Sequence, residues 1–442
     1  MSRDWILREQ GSRDWRMLPI AIVMWAASLG AHALFAWRMS DGLGTGQAKA
    51  DAGAGIDVTI IGMEWPVTRI LPITVASCAA VAAMIVVAFH LLETYSKGPA
   101  YQVLNHGYLA VDFFFVLSGF VIGYAYDDRW NCMSLKGFFK RRLVRLHPMV
   151  IMGSLIGALF FYFGSAAFPM IAGVQWWEVL LICLLGCTML PALPSWDIRG
   201  WGETSPLNGP AWSLLYEYIA NILYALVIRR FPKFVLGLFV AGAAVLTLDL
   251  TLNLDLFGLL SADRSAAYTV IGGWSVTPEQ IYIGFSRLLY PFFAGLLLSR
   301  LGAAIRVRGG FWWCSLLIAA ALVMPHVGSV SAPWIDGGYQ ALVILFVFPL
   351  IVSMGAGSRV AGARSVAVCT FLGEISFPLY ITHYPLVYMQ MAWVAGNPDA
   401  PLGTGIFVNV AIFLLAVGLA WACLKLYDLP VREWLKRHWL MK

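Results

Sequence analysis

Charged residues are scarce in this sequence. Asp, Glu, Lys and Arg make up 12% of its 442 residues, whereas hydrophobic residues make up 60%. Ordinary soluble domains contain about 25% charged residues. This chain has too few polar groups to cover a globular surface in water. Lipid is therefore expected to be its outer solvent, as in a protein that crosses a membrane several times.

The sequence also lacks the marks of several other protein classes. No stretch is polar enough to form a second, soluble domain, and the net charge of +6 is small for this length. The cations cluster in short loops between apolar runs, which is typical of membrane topology and not of a surface for nucleic acid. None of the seven cysteines has a histidine nearby at a metal-binding spacing. Neither a metal nor a bound cofactor is expected.

Twelve apolar runs predict the helices. They lie at about 17–37, 70–92, 107–126, 147–165, 175–192, 211–229, 233–257, 279–299, 311–328, 334–355, 367–390 and 404–428. The predicted fold is all-α: a polytopic membrane helix bundle of about ten core transmembrane helices, plus one or two extra or interfacial helices.

Basic segments between the runs predict the topology. Lys and Arg concentrate near residues 136–145, 229–233, 300–308, 359–364 and 432–442. The positive-inside rule places these segments, and the C-terminus, in the cytoplasm. From residue 229 onwards, two apolar runs separate each basic segment from the next, which returns the chain to the same side. Between Arg145 and Arg229, however, there are three apolar runs. One of the three should not span, and we assign this to 175–192, which begins with Trp176 and Trp177 like an interfacial helix.

The chain divides into three regions. Residues 1–69 are an N-terminal extension with the apolar segment 17–37 and a flexible Gly/Ala-rich link. Residues 70–430 are the membrane domain, and residues 431–442 are a basic cytoplasmic tail. The orientation of 17–37 stays open between an outward-facing N-terminus and a helix that lies in the interface.

The stretch from Gly107 to Pro148 combines a membrane span, a polar group within it and a run of cations. Asp112 lies inside the apolar part, where lipid would not tolerate an unpaired carboxylate. The cations that follow are Lys136, Lys140, Arg141, Arg142 and Arg145. They predict a cytoplasmic loop, and anion binding is the alternative role for the same residues.

His90 is the first candidate for catalysis. It lies near the end of the run 70–92, in the half expected to face away from the cytoplasm. An imidazole can act as a general base near neutral pH and take a proton from a hydroxyl group. The alternative is a histidine that only bonds a neighbour at a helix end. Asp112 could orient such an imidazole or a substrate hydroxyl, or pair with an arginine.

Further polar residues lie within three of the apolar runs. In the run 211–229, Ser213 and Glu217 share one face of a predicted helix, and such a face lines a cavity or meets another polar helix. In the run 279–299, Arg287 needs a carboxylate, carbonyl groups or an anionic ligand at its depth, and Glu217 is a candidate partner. In the run 367–390, three polar residues share one helical face: Ser376, Tyr380 and His383.

A loop expected on the outer side has a different composition. It carries indole rings and charged groups close together, at Trp196, Asp197, Arg199, Trp201 and Glu203. Indole faces with carboxylates are suited to binding sugar rings, although tryptophans are also common at membrane interfaces without any ligand.

Several of these stretches resemble the acyltransferase-3 family of integral membrane proteins, in the same order along the chain. The stretch VDFFFVLSGFVIG is similar to a family motif, and so is the pattern Arg141-Arg142-x-x-Arg145. Further similar segments are Trp212-Ser213-Leu-x-x-Glu217, Arg287 to Gly295, and Ser376 to Pro385. The resemblance covers about 70–430. One position departs from it: the family carries an arginine eleven residues before the histidine, and this chain has Ala79.

The resemblance implies a membrane O-acyltransferase of the bacterial plasma membrane. Its donor would be a cytoplasmic acyl-CoA, commonly acetyl-CoA, and its acceptor a hydroxyl of an extracytoplasmic glycan or glycolipid, such as a polysaccharide or lipopolysaccharide. The roles implied are donor binding by Arg141, Arg142 and Arg145, general base catalysis by His90 with Asp112 or Glu217 orienting it, and charge stabilisation by Arg287. Trp212, Ser213, Ser376, Tyr380 and His383 would line the pocket.

Two other functions remain open from the sequence. A secondary transporter or flippase could use the same polar interior as a conduit, although no inverted repeat is visible. An acyltransferase relative that has lost its activity is the second alternative, because Ala79 replaces the family arginine.

Overall fold

A computed structural model of the protein describes residues 73–96, 98, 101–261, 267–329 and 331–440. Over these residues the chain forms helices and loops and no β-strand. The predicted all-α membrane bundle is confirmed. The predicted N-terminal extension, with its apolar segment 17–37, lies outside the described residues.

The α-helices are numbered here in chain order. They are α1 (Ile73–Glu93), α2 (Ala110–Tyr126), α3 (Leu135–Leu159), α4 (Trp176–Gly186), α5 (Ala211–Leu226), α6 (Lys233–Leu252), α7 (Pro278–Leu301), α8 (Gly310–Val323), α9 (Trp334–Leu342), α10 (Phe348–Gly357), α11 (Ala363–Thr382), α12 (Tyr384–Gly396), α13 (Leu402–Cys423) and α14 (Leu429–Leu435). Single π-helical turns join α9 to α10 and α13 to α14, and another follows α14.

Eight helical segments of the described chain are long and apolar enough to cross a membrane. Helix α4, in the run assigned as interfacial, has 11 residues. At 1.5 Å per residue it is about 17 Å long, roughly half of the ~30 Å hydrocarbon core. Helices α5 and α8, in two of the runs expected to span, are also shorter, at 16 and 14 residues.

The structure corrects two boundaries. Residues 136–145 were predicted to be a loop, but they form the first turns of α3 because Ser134 caps this helix, accepting a hydrogen bond from Gly137 N at 3.0 Å. The run 367–390 is divided at His383 into α11 and α12. Pro385 has no N–H to donate to the Ile381 carbonyl. The side chain of Asn208 donates to that carbonyl instead, at 2.8 Å.

Helices α2 and α7 form the closest helix contact near the site. A Cβ atom on Gly119 would overlap the Phe292 carbonyl oxygen, and one on Gly295 would overlap the Val116 carbonyl oxygen. The two backbones therefore touch directly, as in membrane helices that pack through small residues. Ion pairs hold both ends of the contact: Arg287 pairs with Asp112 at 2.7 Å, and Arg300 pairs with Asp127 at 2.7 Å.

Four of the five basic segments meet at one end of the bundle. Lys140 of α3 donates to the Trp439 carbonyl at 2.8 Å, which brings the C-terminal segment onto α3. Arg300 donates to the Phe231 carbonyl at 2.8 Å as well as to Asp127. The rings of Tyr126, at the end of α2, and of Trp130, just after it, pack on Phe138 of α3. They connect the contacts around Lys140 with those around Arg300. This convergence is the arrangement expected from the distribution of Lys and Arg.

Replacing Gly119 or Gly295 by alanine should destabilise the protein. The added methyl group meets rigid backbone, and overpacking of this kind costs about 1–3 kcal/mol. Thermal unfolding of the purified protein in detergent, followed by tryptophan fluorescence, should show a lower midpoint for each variant.

Gly242→Ala in α6 is the matched control, because a Cβ atom there meets nothing within 4 Å. Alanine is favoured over glycine in a helix by about 1 kcal/mol, so the midpoint should stay the same or rise. Equal midpoints for Gly119→Ala and Gly242→Ala would contradict the proposed backbone contact.

Candidate active site

Two cavities adjoin one another inside the bundle. The first, named here the His90 cavity, has a volume of about 340 Å³, and the second, the Arg145 cavity, about 200 Å³. Val111 and Tyr380 belong to the walls of both. The sequence-predicted residues in the His90 cavity are His90, Trp212, Arg287 and Tyr380. Those in the Arg145 cavity are Arg142, Arg145, Ser213, Glu217, Ser376 and Tyr380.

His90 lies in the last turn of α1 and is oriented by a carboxylate that the sequence analysis did not single out. Its Nδ1 atom is 3.0 Å from Oε2 of Glu93, three residues further along the same helix. A carboxylate accepts hydrogen bonds, so Nδ1 carries the hydrogen and Nε2 keeps its lone pair. Nε2 has no partner among the described residues. Glu93 lines the same cavity, and the i, i+3 spacing is the signal that could have identified it.

Aromatic rings fix the plane of the His90 imidazole. The ring of Tyr384 meets it edge-on with centroids 4.7 Å apart, and the ring of His383 stacks on it at 5.7 Å. His383 is buried and does not line either cavity. Its Nδ1 donates to the carbonyls of Leu379 and Tyr380 in its own helix, and its Nε2 has no hydrogen-bond partner. His383 therefore contacts His90, not the cavity.

Asp112 does not orient His90. It is buried and pairs with Arg287, accepting from Nη2 at 2.7 Å and from Nε at 3.3 Å. Arg287 also donates to the carbonyls of Tyr108 and Gly272, and its guanidinium lies 5.2 Å from the ring centroid of Trp212. Of the two roles left open for Asp112, the structure shows the pairing with an arginine.

Glu217 has a different partner from the one considered in the sequence analysis. It pairs with Arg142 at 2.8 Å, not with Arg287, and accepts a second hydrogen bond from Ser118 at 2.8 Å. Glu217 also lies in the Arg145 cavity, away from the residues around His90. The reason lies in the helix pairing: α5 meets α3 along the face that carries Arg142.

The three arginines of the basic segment have three different environments. Arg141 donates to the carbonyl of Gly137 in its own helix and lines neither cavity. Arg142 is held by Glu217. Arg145 lines its cavity over the ring of Phe377, at 5.6 Å, without a hydrogen-bond partner among the described residues. Arg145 is therefore the cation most open to an anionic ligand.

Of the remaining predicted residues, Ser213 and Ser376 line the Arg145 cavity, and Tyr380 lies in the wall that both cavities share. The hydroxyl groups of Ser213 and Tyr380 are 2.7 Å apart, and both reach the Pro210 carbonyl. Ser376 donates to the Gly373 carbonyl at 3.0 Å. Ala79 lies in the wall of the Arg145 cavity, so the position that carries an arginine in the family faces Arg142 and Arg145 in this chain.

Glu203, which the sequence analysis noted in the loop suited to sugar rings but not as a catalytic residue, is a second carboxylate of the His90 cavity. It belongs to the loop before α5, is 8% exposed, and accepts a hydrogen bond from the Tyr388 hydroxyl at 2.8 Å. Burial, which disfavours the charged form, raises the pKa of Glu203 to about 7. Glu203 lies in an irregular loop, and the conformation of this loop brings it into the cavity of His90. Residue spacing in the sequence does not predict such a conformation.

Within the described residues, no group of three or more His, Cys, Asp or Glu side chains is arranged to hold a metal ion. The chemical groups of the site are therefore an oriented imidazole, a buried carboxyl group and an accessible guanidinium, in two adjoining spaces. This set suits proton transfer at a hydroxyl and binding of an anionic ligand.

Comparisons with known proteins agree with this chemistry. The acyltransferase-3 family model, described as an acyltransferase domain, matches residues 80–425. "Acyltransferase MdmB" of Streptomyces mycarofaciens is 25% identical over 331 residues, which is 72% of this chain and 80% of that protein. "Putative O-acetyltransferase SACOL0978" of Staphylococcus aureus is 23% identical over 391 residues, 80% of this chain and 56% of that protein.

A shorter match is "Protein 2 in picA locus" of Rhizobium radiobacter. It is 32% identical over 153 residues, 33% of this chain and 76% of that protein. The family match includes every sequence-predicted site residue and all of the residues that line the His90 cavity. This multi-pass membrane protein is an acyltransferase and belongs to the acyltransferase-3 family.

Proposed function

We propose that this enzyme moves an acyl group from a cytoplasmic acyl-CoA-type donor to a hydroxyl of an extracytoplasmic glycan or glycolipid. The observation that carries the proposal is the pair of adjoining cavities. One presents the unpartnered guanidinium of Arg145, and the other presents the oriented imidazole of His90. A donor bound in the first needs only to reach past Val111 and Tyr380 to meet an acceptor in the second.

The distribution of charge supports the sides assigned to donor and acceptor. Four of the five basic segments converge at the end of the bundle that carries the first turns of α3, and positively charged ends face the cytoplasm. Arg145 then lies toward the cytoplasm, together with the C-terminus, and His90 toward the outside. The three relatives are bacterial, which supports placement in a bacterial plasma membrane.

The donor's phosphates would be held by Arg145 and by the second cation, Arg142. A guanidinium presents several N–H groups in one plane and forms strong, charge-assisted hydrogen bonds with phosphate oxygens. The apolar residues of the same cavity, among them Phe114 and Phe377, would contact the pantetheine arm and the acyl group. The name of the Staphylococcus aureus relative supports acetyl as this group.

The chemical step follows from the orientation of His90. Nε2 takes the proton of the acceptor hydroxyl while the hydroxyl oxygen attacks the acyl carbonyl carbon, and the bond to the donor's sulfur then breaks. The departing thiolate receives the proton from the imidazolium. Glu93 stabilises the imidazolium through Nδ1. Arg287, fixed by Asp112 and lining the same cavity, contributes the positive potential that stabilises the oxyanion.

Removing the base or its carboxylate should slow transfer by different amounts. His90→Ala should lower kcat for acetyl transfer from labelled acetyl-CoA by about 10²–10⁴, the range for a general base. Glu93→Gln keeps a hydrogen-bond acceptor but loses the charge, so a smaller fall in kcat is expected, with the donor KM unchanged.

Glu178→Gln is the matched control for these variants, because Glu178 caps the N-terminus of α4 and lines neither cavity. It should transfer acetyl groups at the wild-type rate. Full activity of His90→Ala would exclude the proposed base. Wild-type protein that carries substrate across liposomes without acyl transfer would favour transport, and protein that does neither would be the inactive relative suggested by Ala79.

The arginines should differ in their effect on the donor. Arg145→Ala should raise the donor KM about ten- to a hundredfold, because hydrogen bonds to charged groups contribute about 1.5–3 kcal/mol. Arg141→Ala is the matched variant, since Arg141 bonds only its own helix. Its donor KM should stay within about twofold, the effect of losing a distant, screened charge.

Measurements of KM for acetyl-CoA at saturating acceptor would decide this point. An increase for Arg141→Ala as large as that for Arg145→Ala would contradict the assignment of the donor to the Arg145 cavity. It would favour a general electrostatic effect of the basic end.

A further inference from the structure

We propose that Glu203 and the indole rings around it form a carbohydrate subsite in the His90 cavity, in which Glu203 accepts hydrogen bonds from two neighbouring hydroxyl groups of one sugar ring. The inference rests on the proposed function and makes the acceptor more specific: a sugar with an unsubstituted diol, next to the hydroxyl that is acylated.

The carboxyl group of Glu203 is only half satisfied by the protein. Oε2 accepts from the Tyr388 hydroxyl at 2.8 Å. Oε1 has no partner among the described residues, although the side chain is more than nine-tenths buried in the cavity wall. Oε1 is not enclosed by protein atoms but opens into the cavity, where it can accept a hydrogen bond from a ligand. An acceptor that supplies hydroxyl groups would complete this site.

The loop that carries Glu203 is held rigidly. Asp197 accepts hydrogen bonds from the backbone N–H groups of Arg199, Gly200 and Gly202 at 2.7–2.9 Å. Gly200 and Gly202 have φ values of +93° and +64°, which glycine adopts without strain. These contacts fix the backbone immediately before Glu203.

A buried cation holds the partner of Glu203. Arg199 is 2% exposed, and its guanidinium lies 3.5 Å from the ring centroid of Tyr388. The Arg199 Nε atom donates to the Pro206 carbonyl at 2.8 Å. The hydroxyl of Tyr388 is thereby fixed between the amide of Gly209 and the carboxyl group of Glu203. A group preorganised in this way loses little entropy when a ligand binds.

Indole rings supply the second element of the subsite. Trp201, Trp212 and Trp274 line the same cavity as Glu203. The ring of Trp201 packs edge-on against Phe168, with centroids 4.8 Å apart, so its faces are fixed. Flat apolar faces contact the C–H side of a pyranose, and a carboxylate accepts from its hydroxyl groups. Trp196, also singled out in this loop, does not line the cavity.

The charged form of Glu203 is the better acceptor of hydrogen bonds. Burial raises the pKa of Glu203 to about 7, so sugar binding should strengthen as the pH rises through that value and the carboxyl group ionises. The groups that face Glu203 are the hydroxyls of Tyr388 and Tyr384 of α12, Arg199 and Asp197 of its own loop, and Glu93 of α1. None of them is removed by Glu203→Gln, so the variant isolates the Glu203 contribution.

The test is binding of simple sugars by saturation-transfer NMR on the purified protein in nanodiscs. The probes are the methyl glycosides of glucose, galactose, mannose and rhamnose, each with its mono-deoxy analogues. Wild-type protein should bind at least one glycoside, and binding should weaken when one hydroxyl of a neighbouring pair is removed. Glu203→Gln should weaken binding roughly ten- to a hundredfold, as expected for hydrogen bonds to a charged group, and abolish its pH dependence.

Two further variants separate the subsite from a folding defect. Glu178→Gln should bind like the wild type. Tyr388→Phe keeps the carboxylate of Glu203 but removes the hydroxyl group that holds it in place. This variant should weaken sugar binding less than Glu203→Gln. Glu203→Gln must also retain the wild-type thermal midpoint and the wild-type KM for acetyl-CoA. If it does not fold, Trp201→Ala and Tyr388→Phe decide, and unchanged sugar binding in both would overturn the proposal.

The outcomes distinguish this inference from the function on which it rests. Sugar binding that depends on Glu203, without transfer from acetyl-CoA, would support the subsite and count against the proposed donor. Transfer with an unchanged acceptor KM in Glu203→Gln would overturn the subsite and leave the proposed function intact. Failure of every glycoside to bind the wild type would also overturn the subsite.

Discussion

The contact between α2 and α7 is the constraint on which the site depends. Glycines let the two backbones touch, and an Asp–Arg ion pair lies at each end of the contact. Arg287 belongs to one of these pairs and also lines the His90 cavity. Removing one partner of a buried ion pair costs about 3–5 kcal/mol, because a charge is left without compensation. The same contact therefore holds the bundle together and sets the electrostatic potential of the cavity.

The polar groups of the membrane domain fall into two classes. Asp112 and Glu217 are each held by an arginine and by further hydrogen bonds, as expected for charges within a membrane. Arg145, the Nε2 atom of His90 and one oxygen of Glu203 have no such partner among the described residues, and all three line cavities. Unpaired polar groups are costly inside a membrane protein, and we therefore propose these three open positions as the places where substrates bind.

The basic residues of α3 show how one short motif serves several purposes. Arg142 and Arg145, three residues apart on one face of α3, both line the Arg145 cavity, whereas Arg141 does not. Arg141 is directed along its own helix because the carbonyl of Gly137 lies one turn before it. A motif that matches a family at three positions thus contains one arginine with a local role. Asp112 is a similar case. It lies in a family-like stretch, but its role in the structure is to pair with Arg287 on another helix.

The sequence by itself determined the all-α membrane bundle and singled out several of the polar side chains that line the cavities, because hydrophobicity and residue chemistry are local properties. Imidazole chemistry left His90 open between a general base and a structural role, and the resemblance to the family favoured the base. The tertiary structure decided which charges pair. Asp112 and Arg287 are 175 residues apart in the chain, and no periodicity relates them. It also decided that Glu203, on an irregular loop, faces the cavity of His90. Side-chain partners on different helices depend on how those helices pack, which helical spacing within one segment does not specify.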